Sequence, residues 1–417
     1  MQTSSKLRAA FAVVGLTLVG AACGSSSNGS SSGTTAAAAT TAAAAPATTA
    51  AGGAATTAAA SGGGGGAVTM PTGVKCSGLA LGFFGPYTGA NSGLGIPEYN
   101  GAKLAIDQFN QANPDCQIGY KKYDSQGDAA QAPQLARSVV GDASVVGIVG
   151  PSFSGESKAA DPIFNEAKLP IVTPSATNAQ LQNQGWTIFH RMLPNDDVQG
   201  PGIANYIKTD LKPQKVFVID DASEYGKGLA QTVKSGLGSL VVGSDEIDVN
   251  ATDYSATVTK VKAAAPDVVF FGGYYSQAGP LAKQLKDGGV TATFVSGDGT
   301  LDAKFVSLGG DATNGAAITC PCAPAPDAFA TAYKAAFNTD PGTYAPEAFD
   351  SAFAFLNAIA AGKTTRSDIN DYLKTIDIPG ESKQIKFDDK GEVSVKAVYV
   401  YKVENGKITP AGTVGGG

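Results

Sequence analysis

Short apolar runs alternate with helical patterns along almost the whole chain after Thr69. Tyr99–Ala112 is such a helical pattern, with Ala102, Ile106 and Phe109 on one face. The apolar runs predict strands at Leu79–Phe84, Ile118–Tyr123, Val145–Val149, Pro170–Val172, Val216–Ile219, Val268–Phe271, Thr293–Ser296 and Ala316–Thr319. Strands that alternate with helices form parallel sheets covered by helices on both faces. About 340 residues suffice for two such sheets, so the sequence predicts an α/β protein with two lobes.

A basic and then apolar segment begins the chain. Lys6 and Arg8 precede the uncharged run Ala9–Ala22, which is too short to span a bilayer and has the length of a signal-peptide core. The run ends in LVGAAC, where small residues precede Cys23 as in a bacterial lipobox, with the aliphatic Val19 one place earlier than usual. We predict a signal peptide at residues 1–22 and a lipidated Cys23 that anchors the protein to the cell membrane on its extracytoplasmic face. An ordinary secretory signal is the alternative.

The segment after Cys23 has a composition that cannot form a core. Residues 24–67 are Ser, Gly, Thr and Ala apart from Asn28 and Pro46, and they carry no charge. Such a segment buries too little apolar surface to offset its ordering entropy, so residues 23–68 are predicted to be a disordered tether. Its random-coil span of roughly 35 to 40 Å would hold a folded domain clear of the membrane.

Charge argues against a nucleic-acid partner. The net charge is −6, and removal of Lys6 and Arg8 with the signal peptide would make it −8. Proteins that bind nucleic acid usually present a basic surface. The partner is therefore expected to be a small molecule or a protein.

The cysteines after Cys23 fit an oxidising compartment because their number is even. Cys76 and Cys116 each precede a predicted strand, and these strands should be neighbours, so a disulfide between them is plausible. Cys320 and Cys322 flank Pro321 and could pair with each other or stay reduced. A structural zinc site is less well supported, because the chain has no second cysteine pair and no histidine cluster.

The residues that follow each predicted strand are mostly hydroxyl, aromatic and glycine residues, and ligands of parallel sheets bind beyond these strand ends. They are Gly85–Gly89, Gly150–Ser154, Thr173–Thr177, Asp220–Tyr225, Gly272–Tyr275 and Gly297–Gly299. His190 is the only histidine and lies in a strand-like run, so a Ser-His-Asp triad is hard to assemble. The loop Gly93–Glu98 lacks the last glycine of a dinucleotide-binding fingerprint. We predict a binding protein without metal or cofactor, and a nucleotide-dependent oxidoreductase is the weak alternative.

One strand end is unusually rich in hydroxyls. The stretch IVTPSATN (Ile171–Asn178) leads from a predicted buried strand into AQLQNQ, which reads as a helix start. Ser, Thr and Asn there could cap the helix. They could also hold a negatively charged ligand group, since helix N-termini attract anions.

Seven motifs in order along the chain carry a family resemblance: Gly101-Ala102, Tyr123-Asp124, Thr173–Thr177, Asp196–Pro201, Tyr225–Ala230, Phe271–Tyr274 and Asp388–Gly391. From Gly78 to about Ile408 the chain resembles the bacterial leucine/isoleucine/valine-binding proteins, the amino-acid receptors of ABC importers. The resemblance implies a type I periplasmic binding protein fold, with two parallel-sheet, Rossmann-like lobes joined by a three-strand hinge. Lobe 1 would comprise residues 69–195 and 321–395, and lobe 2 residues 196–320 and 396–413.

The resemblance also implies the ligand-binding residues. The ligand's α-carboxylate would be met by Ser154, the backbone at Ser175 and Thr177, and Ala176 lies in the same ligand-binding loop. Its α-ammonium would be met by Asp298, helped by Thr177. The family commonly has Glu at the position of Asp298.

Aromatic and apolar residues would complete the site. By resemblance, Tyr225 and Tyr274 would close over the ligand from lobe 2. Leu94 and Phe153 would line the side-chain pocket, where they replace a tyrosine and a small residue of leucine-binding relatives. An apolar wall of this kind favours an aliphatic or aromatic side chain over a charged one.

The function implied by the resemblance is capture of an amino acid, of the branched-chain type, and its delivery to the permease and ATPase subunits of an ABC importer. The protein is expected to act as a monomer without nucleic acid. The same fold could instead bind an amide, a urea or an aromatic acid, or could serve a sensor.

Overall fold

The computed structural model describes residues 68–414, which lie within one compact unit. The predicted signal peptide, Cys23 and the predicted tether up to residue 67 lie outside the described residues. Among the helices of residues 68–414, none is both long and apolar enough to cross a bilayer.

The first lobe is built on a five-stranded parallel sheet in the order β2-β1-β3-β4-β5. Its strands are β1 (Ala80–Gly85), β2 (Gly119–Asp124), β3 (Val145–Val149), β4 (Ile171–Thr173) and β5 (Phe189–Arg191). Three helices follow the first three strands: α1 (Ser92–Ala112), α2 (Ala132–Val140) and α3 (Ser154–Glu166).

The second lobe is built on a seven-stranded sheet in the order β14-β13-β10-β9-β8-β6-β7. Its parallel strands are β6 (Val216–Asp220), β7 (Val241–Glu246), β8 (Val268–Gly272), β9 (Thr293–Ser296) and β10 (Ala317–Cys320). The helices of this stretch are α4 (Asp196–Tyr206), α5 (Glu224–Leu237), α6 (Ser255–Ala264), α7 (Tyr275–Asp287) and α8 (Ala303–Gly309).

After β10 the chain returns to the first lobe and then crosses again. The returning elements are α9 (Asp327–Phe337), α10 (Ala345–Ala360), α11 (Arg366–Leu373), β11 (Asp377–Pro379) and β12 (Gln384–Lys386). Helix α10 is almost completely buried and packs against α1. The last two strands, β13 (Val398–Glu404) and β14 (Lys407–Val414), add antiparallel pairs to the second sheet. The chain thus passes between the lobes near residues 192–195, 321–326 and 387–397, and the two-lobed α/β prediction is confirmed.

All eight predicted strands are present, each with ends within one residue of the prediction. The strands that the prediction missed include β7, in which half-buried and exposed residues alternate, and β14, which is exposed along most of its length. Such strands lie at sheet edges, where one face is solvated and no continuous apolar run is needed.

Helix α1 begins at Ser92, seven residues before the predicted start at Tyr99, and includes Pro97. Tyr275 of the second lobe explains the early start. Its hydroxyl accepts a hydrogen bond from the Gly93 N–H (2.9 Å) and donates to the Ala90 carbonyl (2.8 Å). A side chain distant in sequence therefore satisfies the first backbone groups of the helix.

Cys76 and Cys116 form a disulfide that joins the segments leading into β1 and β2. Cys320 and Cys322 also pair, at the end of β10. The two bridges differ greatly in the length of chain that they close, with sequence separations of 40 and 2 residues.

Removal of the Cys76–Cys116 bridge in the double variant Cys76→Ala/Cys116→Ala is expected to lower the free energy of unfolding by about 2–4 kcal/mol. The bridge closes a long loop and so restricts the unfolded chain. Chemical denaturation of the variant and wild type measures the difference. The variant Cys320→Ala/Cys322→Ala is the control and should lose less, because its loop is short. Equal losses would contradict the loop-length argument.

Candidate functional site

A small cavity lies between the two lobes, beyond the carboxyl ends of the parallel strands. It is lined by Leu94, Ser152, Phe153, Ser154, Ser175, Tyr225, Tyr274, Asp298, Gly299 and Tyr344. Its volume of about 10 Å³ is close to the space of one water molecule. The lobes must therefore separate before a molecule of amino-acid size can enter.

A larger groove of about 870 Å³ also runs between the lobes and shares Tyr344 with the cavity. Many of its lining residues are proline, alanine and aliphatic side chains, among them Ile96, Pro97 and Leu301. We assign the candidate site to the smaller cavity, because polar groups from both lobes converge there at the strand ends.

Hydroxyl groups from two neighbouring loops form the first-lobe side of the cavity. Ser154 begins α3, and its Oγ accepts a hydrogen bond from the Asn178 N–H (3.1 Å). Ser175 Oγ donates to the Ser152 carbonyl (2.6 Å). These contacts hold buried hydroxyls at the start of a helix, where the helix dipole favours negative charge.

The helix predicted at Ala179–Gln184 is wrong, because the structure has only a single 3₁₀ turn at Leu181–Asn183. Gly185 follows with a φ of 79°, in the left-handed region that ends helical geometry. The segment after β4 therefore supplies no helix N-terminus to the cavity, and α3 is the helix that begins on this side of it. Helix capping does not explain the hydroxyls of this loop.

A buried arginine fixes the same loop from behind. Arg191 Nη1 donates to the carbonyls of Ala176 and Asn178, at 2.9 Å each. Its guanidinium also pairs with the Glu392 carboxylate. Thr173 Oγ1 accepts from the Ala176 N–H (3.0 Å). Long-range contacts to Arg191 thus shape a loop that carries no helix.

A carboxyl group held by two phenols forms the second-lobe side. Asp298 is 1% exposed, and its Oδ1 accepts from Tyr225 Oη (2.8 Å). Its Oδ2 accepts from Tyr344 Oη, which comes from the first lobe. Burial raises the pKa of Asp298, and it raises the pKa values of both tyrosines well above their usual range. The phenols therefore stay neutral donors, and they bridge the lobes through one carboxyl group.

Aromatic rings form the remaining wall. The ring centroid of Tyr274 lies 4.5 Å from that of Phe153 and 5.2 Å from that of Tyr225. Leu94 is fully buried beside them. A side chain entering here would meet apolar surface.

Several buried polar atoms near Asp298 lack a hydrogen bond of good geometry within residues 68–414: both carboxyl oxygens of Asp196, Oε1 of Gln199 and the hydroxyl oxygen of Thr177. The Thr177 hydroxyl is nevertheless close enough to the Asp196 carboxyl group to act on its pKa. The Asp196 N–H donates to the Thr177 carbonyl (2.9 Å), which places the two residues side by side. Burial first and the nearby Asp298 second raise the pKa of Asp196 well above its usual range. Unpartnered acceptors of this kind suit a ligand group that brings hydrogen-bond donors.

Catalytic and metal-binding groups are not assembled at this cavity. His190 lies outside its lining, and burial lowers the pKa of that imidazole to about 4, so it is neutral. Within residues 68–414, no group of three or more His, Cys, Asp or Glu side chains could hold a metal ion.

A family model described as periplasmic binding protein matches residues 78–407. The chain belongs to the periplasmic binding protein family. Among the curated relatives of this periplasmic binding protein is the Leu/Ile/Val-binding protein BraC3 of Rhizobium johnstonii, 31% identical over 80% of this chain and 94% of the relative. Another is the leucine-, isoleucine-, valine-, threonine- and alanine-binding protein of Pseudomonas aeruginosa, 29% identical over 76% of this chain and 88% of the relative.

Solved structures support the fold assignment. The branched-chain amino acid transporter substrate binding protein LivJ from Streptococcus pneumoniae, in complex with isoleucine, superposes with a TM-score of 0.75 at 30% identity. The superposition covers 81% of this chain and 99% of LivJ. The type I periplasmic binding protein fold is thereby confirmed, and the chain is a substrate-binding protein rather than an enzyme.

The structure of this periplasmic binding protein brings most of the predicted site residues together. The residues on the cavity lining are Leu94, Phe153, Ser154, Ser175, Tyr225, Tyr274 and Asp298. Ala176 and Thr177 are not on the lining. Ala176 packs in the first-lobe core, and Thr177 is fully buried beside Asp196.

Sequence reasoning missed three residues of the lining, Ser152, Gly299 and Tyr344. Ser152 and Gly299 lie in strand-end segments that were already singled out, so the signal for them was present. Tyr344 precedes α10 instead of following a strand, and its φ of 66° is left-handed. No strand-end pattern could have identified it.

Proposed function

We propose that this periplasmic binding protein is a lipoprotein, anchored through Cys23, that captures an amino acid of the branched-chain type between its lobes. It delivers the amino acid to the permease and ATPase subunits of an ABC importer and acts as a monomer. The observation that carries the proposal is the cavity itself, in which buried hydroxyls, a buried carboxyl group and an apolar wall converge. The hydroxyls suit the α-carboxylate of a branched-chain amino acid, the carboxyl group suits its α-ammonium, and the apolar wall suits its side chain.

The proposed roles follow from charge and donor type. The Ser154 hydroxyl, at the start of α3, and the backbone at Ser175 receive the ligand's α-carboxylate, because these donors and the helix dipole favour an anion. Asp298 receives the α-ammonium, supported by Thr177.

The ligand side chain would contact the apolar wall. Leu94, Phe153, Tyr225 and Tyr274 offer aliphatic and aromatic surface and no charge. The names of the relatives agree with this chemistry, because BraC3 is a Leu/Ile/Val-binding protein and LivJ was solved with isoleucine.

Capture and release require a hinge. We propose that lobe 1 comprises residues 69–195 and 321–395, and that lobe 2 comprises residues 196–320 and 396–413. A ligand that bridges Ser154 in one lobe and Asp298 in the other favours the closed arrangement, because it contacts both lobes only when they are closed.

The proposal is tested by identifying the ligand. Mass spectrometry of small molecules released on denaturation, and calorimetric titration with the common amino acids, should both identify leucine, isoleucine or valine. The titration panel also contains acetamide, urea and benzoate. Binding of one of these in place of every amino acid would contradict the proposal and favour the amide, urea or aromatic-acid alternative.

Replacement of Phe153 by leucine is expected to change which side chain fits. The Phe153 ring packs on Tyr274 at 4.5 Å between centroids, so a smaller residue leaves room in the pocket. The ratio of affinities for L-phenylalanine and L-valine should rise by about tenfold. Titration of both ligands measures the ratio, and Phe329→Leu, in the first-lobe core away from the cavity, should leave it unchanged. An unchanged ratio in Phe153→Leu would remove Phe153 from the pocket.

A further inference from the structure

A carboxyl group that has no role in the proposed binding scheme lies directly behind the cavity hydroxyls. Glu98, on α1, is 0% exposed. Its Oε2 is in hydrogen-bond contact with Ser152 Oγ, and its Oε1 has no partner within residues 68–414. Ser152 lines the cavity, whereas Glu98 does not. Glu98 can therefore affect a ligand in the cavity indirectly, through a residue such as Ser152 that contacts both.

The titratable groups that face Glu98 are two carboxyl groups and two phenols, namely Glu156 on α3, Glu347 on α10, Tyr120 on β2 and Tyr344 before α10. None of these four carries a positive charge. The buried Lys383 ammonium is already paired with Glu347 (3.0 Å). An ionised Glu98 would therefore be a buried carboxylate without a counterion, which is costly. Burial accordingly raises the pKa of Glu98 to about 8, even though the Ser152 and Ser175 hydroxyls act in the opposite direction.

The protonation state of Glu98 decides which way the Ser152 hydroxyl points. A serine hydroxyl has one proton to donate. If Glu98 is ionised, Ser152 must donate that proton to the carboxylate, and only oxygen lone pairs then face the cavity. If Glu98 is protonated, its O–H donates to Ser152 Oγ. The Ser152 proton can then turn to the Phe84 carbonyl, which lies at a long 3.4 Å, or to an anionic ligand group in the cavity, which is the stronger acceptor.

We infer that Glu98 is a positioning residue whose proton makes Ser152 a hydrogen-bond donor toward the anionic group of the ligand. Ser152 then joins Ser154 and Ser175 on the carboxylate side of the cavity. Ligand binding is thereby coupled to the protonation of a buried glutamic acid. This inference rests on the proposed function, because it takes the ligand's carboxylate to lie on the first-lobe side.

Coupling to one proton predicts a particular pH profile. With a pKa of about 8 for Glu98, affinity for L-isoleucine should fall about tenfold between pH 7 and pH 9. The sign follows from linkage, since the binding-competent form holds the proton and loses it as pH rises. Titration at pH 8.5 in buffers of different ionisation enthalpy should also show proton uptake by the wild type on binding.

Two variants separate positioning from a merely structural role. Glu98→Gln keeps the shape and supplies an amide donor that does not titrate, so affinity should change less than about twofold between pH 7 and pH 9. Ser152→Ala removes the hydroxyl that Glu98 positions, so affinity at pH 7 should fall about fivefold to tenfold. The remaining pH dependence of Ser152→Ala should be weaker than that of the wild type. Circular dichroism at each pH checks that the variants stay folded.

A second readout needs no ligand. At pH 7 the infrared spectrum of the wild type should contain the carbonyl band of a protonated carboxyl group that Glu98→Gln lacks. Absence of that difference would overturn the inference, because Glu98 would then be ionised.

Titration with amino acids and isovalerate distinguishes a failure of the role inferred for Glu98 from a failure of the proposed function. Binding of L-isoleucine with the same pH dependence in wild type and Glu98→Gln would overturn the role of Glu98 and leave the proposed function intact. Failure of all the common amino acids, and of the simple carboxylate isovalerate, to bind at any pH would overturn both. A steep profile in the wild type that Glu98→Gln flattens supports the inference.

Discussion

Replacement of Asp298 by asparagine is expected to lower the affinity for a branched-chain amino acid by roughly 30-fold to several thousand-fold at pH 7. Asp298 is buried and accepts hydrogen bonds from Tyr225 (2.8 Å) and Tyr344. The variant keeps the shape of the side chain and removes its charge. The ligand's ammonium would then be desolvated opposite neutral groups, which typically costs about 2–5 kcal/mol.

Calorimetric titration of Asp298→Asn against leucine, isoleucine and valine measures the loss. Asp298→Glu is the matched control, because it keeps the charge and lengthens the side chain by one methylene, so it should bind more tightly than Asp298→Asn. Unchanged affinity in Asp298→Asn would show that the ligand has no ammonium group at this position. The ligand classes without an amino group would then become the better hypothesis.

Acid should weaken binding through the same residue. Burial raises the pKa of Asp298, so this carboxyl group becomes protonated at a higher pH than an exposed aspartate. A protonated Asp298 offers the ammonium no charge, and affinity therefore falls as pH falls through that raised pKa. Together with the alkaline loss expected from Glu98, the wild type should bind best at an intermediate pH.

Replacement of Glu392 by glutamine is expected to lower the free energy of unfolding by about 3–5 kcal/mol. The Glu392 carboxylate pairs with Arg191, whose side chain is 0% exposed. The same guanidinium donates to the carbonyls of Ala176 and Asn178. Loss of the carboxylate charge leaves a buried guanidinium without its counterion, and such a charge is much more costly than an exposed one.

Urea denaturation of Glu392→Gln and wild type measures the change. Asp107→Asn provides the control, because it breaks the exposed Lys103–Asp107 pair on α1, with side chains 39% and 51% exposed, and should cost only about 0.3–0.5 kcal/mol. Ligand affinity should also fall in Glu392→Gln, since Arg191 fixes the loop that carries Ser175. A loss of stability no greater than that of Asp107→Asn would mean that the buried pair contributes nothing beyond a surface pair.

Asp298 and the Arg191–Glu392 pair affect the same cavity in different ways. Asp298 contacts the proposed ligand, whereas Arg191 and Glu392 act on the backbone that carries the donors. A comparison of ligand affinity and folding stability in both variants therefore separates direct contact with the ligand from stabilisation of the binding loop. Asp298→Asn should change affinity far more than stability, and Glu392→Gln should change both.

Local patterns in the amino-acid sequence are sufficient to predict the central strands and the residues that follow them. Continuous apolar runs such as Val145–Val149 and Val268–Gly272 are buried on both faces, so their composition alone indicates central parallel strands. Residues directly after such strands, among them Ser154, Tyr274 and Asp298, meet at the cavity because parallel strands end at the same edge of a sheet. Order along the chain is sufficient for these features, since the strand itself fixes where the next residues lie.

Features that depend on contacts between distant segments could not be predicted from local patterns and are visible only in the folded protein. The loop Thr173–Asn178 takes its shape from Arg191 and Glu392 instead of from a following helix. Tyr344 reaches Asp298 from the other lobe, and Glu98 reaches Ser152 from α1. Each of these contacts joins groups more than a dozen residues apart, and its energy comes from burial of polar groups that local sequence patterns do not report. The polar partners of this cavity therefore follow from how the two lobes pack, while its position follows from the order of the strands.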